Sequence, residues 1–126
     1  MKTLTKAEEQ IMHILWDLQR AVVRDVLEQL PEPKPAYNTV STVIRVLENK
    51  GFVSHKSYGT TNEYYTLVSK KEYTKFRFGE LMQKYFNNSF PQMASFFAKE
   101  NKLSIRELEE MMREIRDELK ENENKS

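Results

Sequence analysis

Cysteine is absent from the 126 residues, which excludes a disulfide framework, a thiolate zinc site and a cysteine nucleophile, and fits a reducing compartment. Glycine occurs only at Gly51, Gly59 and Gly79, too sparsely for a phosphate-cradling loop or a GxSxG nucleophile elbow. No apolar run has the length of a signal peptide or a membrane span, so a soluble, cytoplasmic protein without membrane insertion is expected. A charge excess is also missing: 20 Lys and Arg against 19 Asp and Glu give +1 at pH 7. Domains that bind polyanions usually carry a clear basic excess, so the distribution of charge matters more than its sum. His13 and His55 stand apart in sequence and are expected as surface or core histidines, with no metal site. Nothing here implies a cofactor or an enzyme.

What is present is helical periodicity, interrupted once. Thr5 and Glu8 form a capping-box pattern, and Ile11, Ile14, Leu15 and Leu18 follow at helical spacing, which predicts a helix over Lys6 to Leu18. A short helix is expected from Val23 to Leu30. Pro31, Pro33 and Pro35 then enforce an extended connection. A third helix, Tyr37 to Lys50, buries Val40, Val43, Ile44 and Leu47 and ends at Gly51, where a left-handed cap would fall. Beyond it the period shifts to two, predicting strands over Phe52 to Ser57 and Glu63 to Val68. Further capping boxes at Ser69/Glu72 and Ser104/Glu107 open two later helices, and Pro91 sits in the first turn of a short one carrying Met93, Phe96 and Phe97. Gly79 lies inside the first of these and costs roughly 1 kcal/mol relative to Ala, so packing must compensate.

The chain is therefore mainly α with one small β hairpin. Three helices followed by a hairpin make a winged helix-turn-helix DNA-binding domain, in which the third helix enters the major groove. We expect it over residues 1–70, a helical dimerisation domain over 71–121, and a frayed tail over 122–126. The expected outer face of the third helix suits base edges: Asn38 for adenine, Thr39 and Thr42 for thymine methyls or phosphate, Ser41 for close approach, Arg45 for guanine or phosphate. From Lys34 to Lys56 there are four Lys and Arg against one Glu. Lys34, Tyr37, Lys50, His55 and Lys56, with Tyr58, Thr60, Thr61 and Asn62 of the hairpin, are thus expected along the DNA backbone.

The second half is rich in aromatics. Phe76, Phe86, Phe90, Phe96 and Phe97 offer more apolar area than so short a segment can cover alone, and a twofold partner would cover it. Ile105, Leu108, Met112, Ile115 and Leu119 recur at coiled-coil steps and extend that expected homodimer interface. A homodimer sets two recognition helices on successive major grooves, so the expected partner is double-stranded DNA with a pseudo-palindromic operator.

The strings AEEQIMHILWD, YNTVSTVIRVLENKGFVSHK, NEYYTLVSKKEY and LSIRELEEMMREI resemble the penicillinase repressor family of BlaI/MecI type over nearly the whole chain. The resemblance implies a homodimeric transcriptional repressor of antibiotic-resistance genes of the β-lactamase type. It implies inverted-repeat operators, with bases read from Asn38, Thr39, Ser41 and Thr42; only the threonines match the familiar residues. It also implies relief of repression by a membrane sensor-transducer protease, or a protease it activates, cutting at an Asn followed by Phe. The matching place is Phe96 and Phe97, where Ser95 stands instead of the Asn. Copper-responsive relatives carry a cysteine metal motif that this chain lacks. The alternative from the residues alone is a winged-helix protein-interaction adaptor without DNA binding, which the near-neutral charge would suit. RNA binding lacks the stacking aromatics on a sheet face that it would use.

Overall fold

A computed structural model describes residues 1–100, 104, 106, 107, 109, 110, 112–114, 116 and 117. The elements run α1 (Lys6–Leu18), β1 (Arg20–Ala21), α2 (Val23–Gln29), α3 (Tyr37–Asn49), β2 (Val53–Tyr58), β3 (Thr61–Thr66), α4 (Lys70–Phe86) and α5 (Phe90–Lys99). Residues 106, 107, 109, 110, 112–114, 116 and 117 are also helical. The chain divides into two compact units, Met1–Tyr73 and a second beginning at Thr74.

In the first unit, Thr5 starts α1 with both halves of the capping box: its hydroxyl accepts from the Glu8 N–H at 3.2 Å, and the Glu8 carboxylate accepts from the Thr5 N–H at 2.9 Å. Glu8 does more than cap. It is buried, and it takes two hydrogen bonds from the Lys50 ammonium, at 2.6 and 2.9 Å, across 42 residues of sequence. The buried face of α1 is therefore Glu8, Ile11, Met12 and Leu15. The sequence reading put that face one step further along; Leu18 is 38% exposed while Met12 is fully buried. Turning Glu8 inward to meet Lys50 sets this rotation. Gln19 ends α1 at φ 68°, its N–H bonded to the Leu15 carbonyl.

α2 and α3 close over the same core. Val23, Val26, Leu30, Val40, Ile44 and Leu47 are all buried there. α3 stops where Gly51 takes φ 84°, a left-handed value that glycine adopts without a Cβ clash. The hairpin that follows is tighter than the sequence suggested. Tyr58 faces Thr61, so only Gly59 and Thr60 form the turn, with Gly59 at φ 63°. β1, not expected from the sequence, pairs its two residues antiparallel with β3, making a three-stranded sheet in the order β1-β3-β2. A two-residue strand shows no alternation, so periodicity cannot find it.

Phe52 joins helices to sheet. Its N–H donates to the Leu47 carbonyl, and its own carbonyl accepts from Leu67 and Val68. Tyr73, in the first turn of α4, packs edge-on against Phe52 and accepts the Leu4 N–H at 2.9 Å, while the Trp16 indole N–H donates to the Val68 carbonyl. The Ser69/Glu72 capping box that opens α4 is complete.

In the second unit, α4 is stopped by Asn87 and Asn88, both left-handed, with the Asn88 N–H on the Met82 carbonyl. Ser89 caps α5 by accepting from the Gln92 N–H, and Pro91 lies in its first turn. Met82 and Met93 are buried. Phe78 stacks on Phe90, and Phe86 meets both Phe96 and Phe97. Gly79 is exposed and a Cβ there would meet nothing within 4 Å, so its helix is held by these neighbouring side chains.

The Glu8–Lys50 pair makes stability depend on pH. Burial alone would raise the Glu8 pKa; the Lys50 hydrogen bond and charge and the Thr5 bonds outweigh it and hold the pKa below the ordinary 4.5. The folded pKa being depressed, Glu8 contributes in full above about 4.5 and loses its contribution as pH falls through the lower folded value. We expect Glu8→Gln to cost about 1–2 kcal/mol at pH 7 by stranding Lys50. Between pH 5 and 3, an urea midpoint that falls less steeply for the variant than for the wild type would bear this out; parallel curves would refute it.

Candidate nucleic-acid interface

At about 100° per residue, Asn38, Thr39, Thr42, Arg45, Val46 and Asn49 of α3 fall within an arc of about 120°, and all six are exposed. Val40, Ser41, Ile44 and Leu47 occupy the opposite arc and are buried. This corrects the placement of Ser41, expected on the outer face. It lies one position after Val40 and three before Ile44, which carries it to the inward side, where it is 8% exposed. Its hydroxyl accepts from the Arg45 guanidinium at 3.1 Å. As the structure stands, Ser41 orients Arg45 and does not present itself outward. Tyr37, 48% exposed, stands at the start of the helix.

The Thr42 hydroxyl is also committed. It donates to the Asn38 carbonyl one turn earlier at 2.8 Å, so the donor of the side chain is used within the helix. Val46 was not singled out by the sequence reading, yet it is 36% exposed within the polar arc. Counting its angle from Thr42 would have found it.

The cations expected along the DNA backbone separate into two sets. Lys34 donates to the carbonyls of Leu27, Glu28 and Leu30 at 3.3, 2.9 and 2.9 Å. All three of its N–H donors serve the end of α2, where orphan carbonyls and the helix dipole favour a cation. Lys50 is bound to Glu8. His55 Nδ1 lies 2.7 Å from the Glu48 carboxylate, and its ring packs against Tyr64. Lys34, Lys50 and His55, expected along the DNA backbone, each meet an acceptor within their own unit. Lys56 is exposed, as are Tyr58, Thr60, Thr61 and Asn62 of the hairpin; Asn62 accepts from the Ser57 hydroxyl at 2.9 Å. His13 lies 3.6 Å from Glu9 and edge-on to Trp16.

Of the aromatics expected at a subunit interface, Phe76, Phe86, Phe90 and Phe97 are half-buried and Phe96 is 52% exposed. Tyr85, on α4, is 73% exposed. Met112 is half-buried, and the Arg116 guanidinium lies 5.5 Å from the centre of the Phe90 ring. Ile105, Leu108, Ile115 and Leu119, and the tail at 122–126, lie outside the described residues. Among the described residues no helix is long and apolar enough to cross a membrane.

A family model described as penicillinase repressor matches residues 4–117. The methicillin resistance regulatory protein MecI of Staphylococcus aureus (strain N315) is 26% identical over 109 residues, covering 86% of this chain and 89% of that protein. MecI of Mammaliicoccus sciuri is 25% identical over the same length and shares. The penicillinase repressor of Bacillus licheniformis is 21% identical over 109 residues, covering 86% and 85%. A solved structure of the CopR repressor is 28% identical, covers 54% of this chain and 100% of its own, and superposes with a TM-score of 0.45.

Proposed function

The chain belongs to the penicillinase repressor family, and from that premise we propose that it is a homodimeric transcriptional repressor whose first unit binds an inverted-repeat operator through α3. The observation that carries the proposal is the division of α3 into a buried apolar arc and an exposed arc of Asn38, Thr39, Thr42 and Arg45, with an exposed hairpin following it. Such side chains match base edges by hydrogen bonding and methyl contact. The relatives named for methicillin resistance and penicillinase repression favour resistance genes as the regulated class.

The second unit is the proposed dimeriser. Phe96 and Tyr85 leave apolar surface uncovered, which a second copy would remove from water. Relief of repression is assigned to proteolysis at Phe96 and Phe97 by a sensor-triggered protease, supported by the exposure of Phe96. Digestion mapping after β-lactam exposure should find that cut; an intact chain in derepressed cells would exclude it.

A second reading has one observation behind it. Lys34, Lys50 and His55 are held by internal partners, which weakens the phosphate-binding field and would suit a protein-interaction adaptor. Salt separates the two. A DNA binder loses affinity steeply as salt rises because phosphate contacts release counterions, whereas an adaptor gives no duplex-dependent signal.

Two measurements test the proposal. The triple variant Asn38→Ala, Thr42→Ala, Arg45→Ala should bind the promoter duplex beside its own gene about a hundredfold more weakly, taking roughly 1 kcal/mol per lost contact. Unchanged affinity removes the assignment. Phe96→Asp, with helicity retained, should sediment as a single chain and bind the duplex less tightly. A tight dimer in that variant would mean that the interface lies elsewhere.

A further inference from the structure

The outward arc of α3 contains a strip of methyl groups that hydrogen-bonding readout does not use. Thr39, Thr42 and Val46 follow at steps of three and four, so they line one side of the arc as a row of β-branched side chains. Thr42 has its hydroxyl turned back onto the Asn38 carbonyl, which removes that O–H as a donor to anything outside. What it can still offer a groove is its methyl group, and its oxygen only as an acceptor. Val46 has only methyl groups to offer, and it is exposed, although an apolar side chain gains by burial. The buried arc is already filled by Val40, Ile44 and Leu47, so Val46 is not a displaced core residue.

In the major groove the only apolar feature of a base edge is the C5 methyl group of thymine. We infer that Val46, together with the methyl group of Thr42, reads thymine methyls, so that part of the operator is recognised by the presence of a methyl group and not by a hydrogen bond. The inference rests on the DNA-binding reading above and names the chemical group that this strip selects. Asn38 complements it: its side-chain amide is exposed and suits the adenine edge, which would direct the arc as a whole toward A·T pairs. Arg45, tethered to Ser41, borders the opposite side of the arc.

The test uses the full-length protein and a randomised duplex library from which bound sequences are selected. The enriched duplex is then synthesised with uracil in place of each thymine in turn, which deletes one methyl group and leaves the hydrogen-bonding edge intact. The wild type should lose about fourfold in affinity at one or more positions, the equivalent of roughly 0.8 kcal/mol for a buried methyl group. Val46→Ala should lose affinity on the thymine duplex and become indifferent to uracil at one of those positions, while melting at the wild-type temperature. Thr42→Val should keep wild-type affinity and Thr42→Ser should lose it, because the methyl group and not the hydroxyl makes the contact. A Val46→Ala protein that discriminates uracil from thymine at every position as the wild type does would overturn the inference while leaving DNA binding intact. Failure to enrich any duplex would overturn the DNA-binding reading itself, and the inference with it.

Discussion

The ion pair between Glu8 and Lys50 is the constraint that orders the first unit. One carboxylate closes the first turn of α1 and holds the residue that ends α3, so two helices far apart in sequence share a fixed point. From that point the buried faces follow. α1 turns Met12 and Leu15 inward, α3 turns Val40, Ile44 and Leu47 inward, and the polar arc of α3 faces solvent because no other side remains. A buried pair of this kind is no large source of net stability, since desolvation opposes the attraction. Its contribution is to register: sliding or rotating either helix would leave a charge without its partner.

The same arrangement explains why so much of the chain could be read from sequence and why certain residues could not. Helix starts were legible because a capping box is local. Thr5 with Glu8 and Ser69 with Glu72 each announce a helix within four residues, and both form as expected. The helix limits followed, as did the left-handed Gly51. The bond between Lys50 and Glu8 is not legible in sequence because the two stand 42 residues apart, and nothing in either neighbourhood points to the other. The engagement of Lys34 has a local cause, since a lysine just past a helix end folds back on the last carbonyls, which charge counting overlooks. Ser41 shows the limit of residue type as a guide. A small polar residue looks like surface, but its angle on the helix places it against the core.

These corrections change the character of the proposed interface. With Lys34, Lys50 and His55 engaged internally, the positive field around α3 is thinner than the local count of charges suggests. What remains outward on α3 is mostly neutral: two amides, hydroxyls, methyl groups and one tethered guanidinium, with Lys56 exposed on the hairpin. Contacts to phosphate fix register on the duplex without reading sequence, whereas contacts to base edges carry the information. An interface of this composition leans toward the second kind. The near-neutral balance of the whole chain is then compatible with the proposed binding of a selected sequence.

Division of labour among the basic residues also bears on how such a protein can diversify. Where the lysines that brace a scaffold are distinct from the side chains that face a ligand, the facing set can drift without loosening the scaffold. The row from Thr39 to Val46 is short, uncharged and free of long-range tethers. Gene duplicates that differ there by single methyl or hydroxyl groups could acquire separate target sites while sharing one stable body, which is an economical route to a set of insulated regulatory circuits.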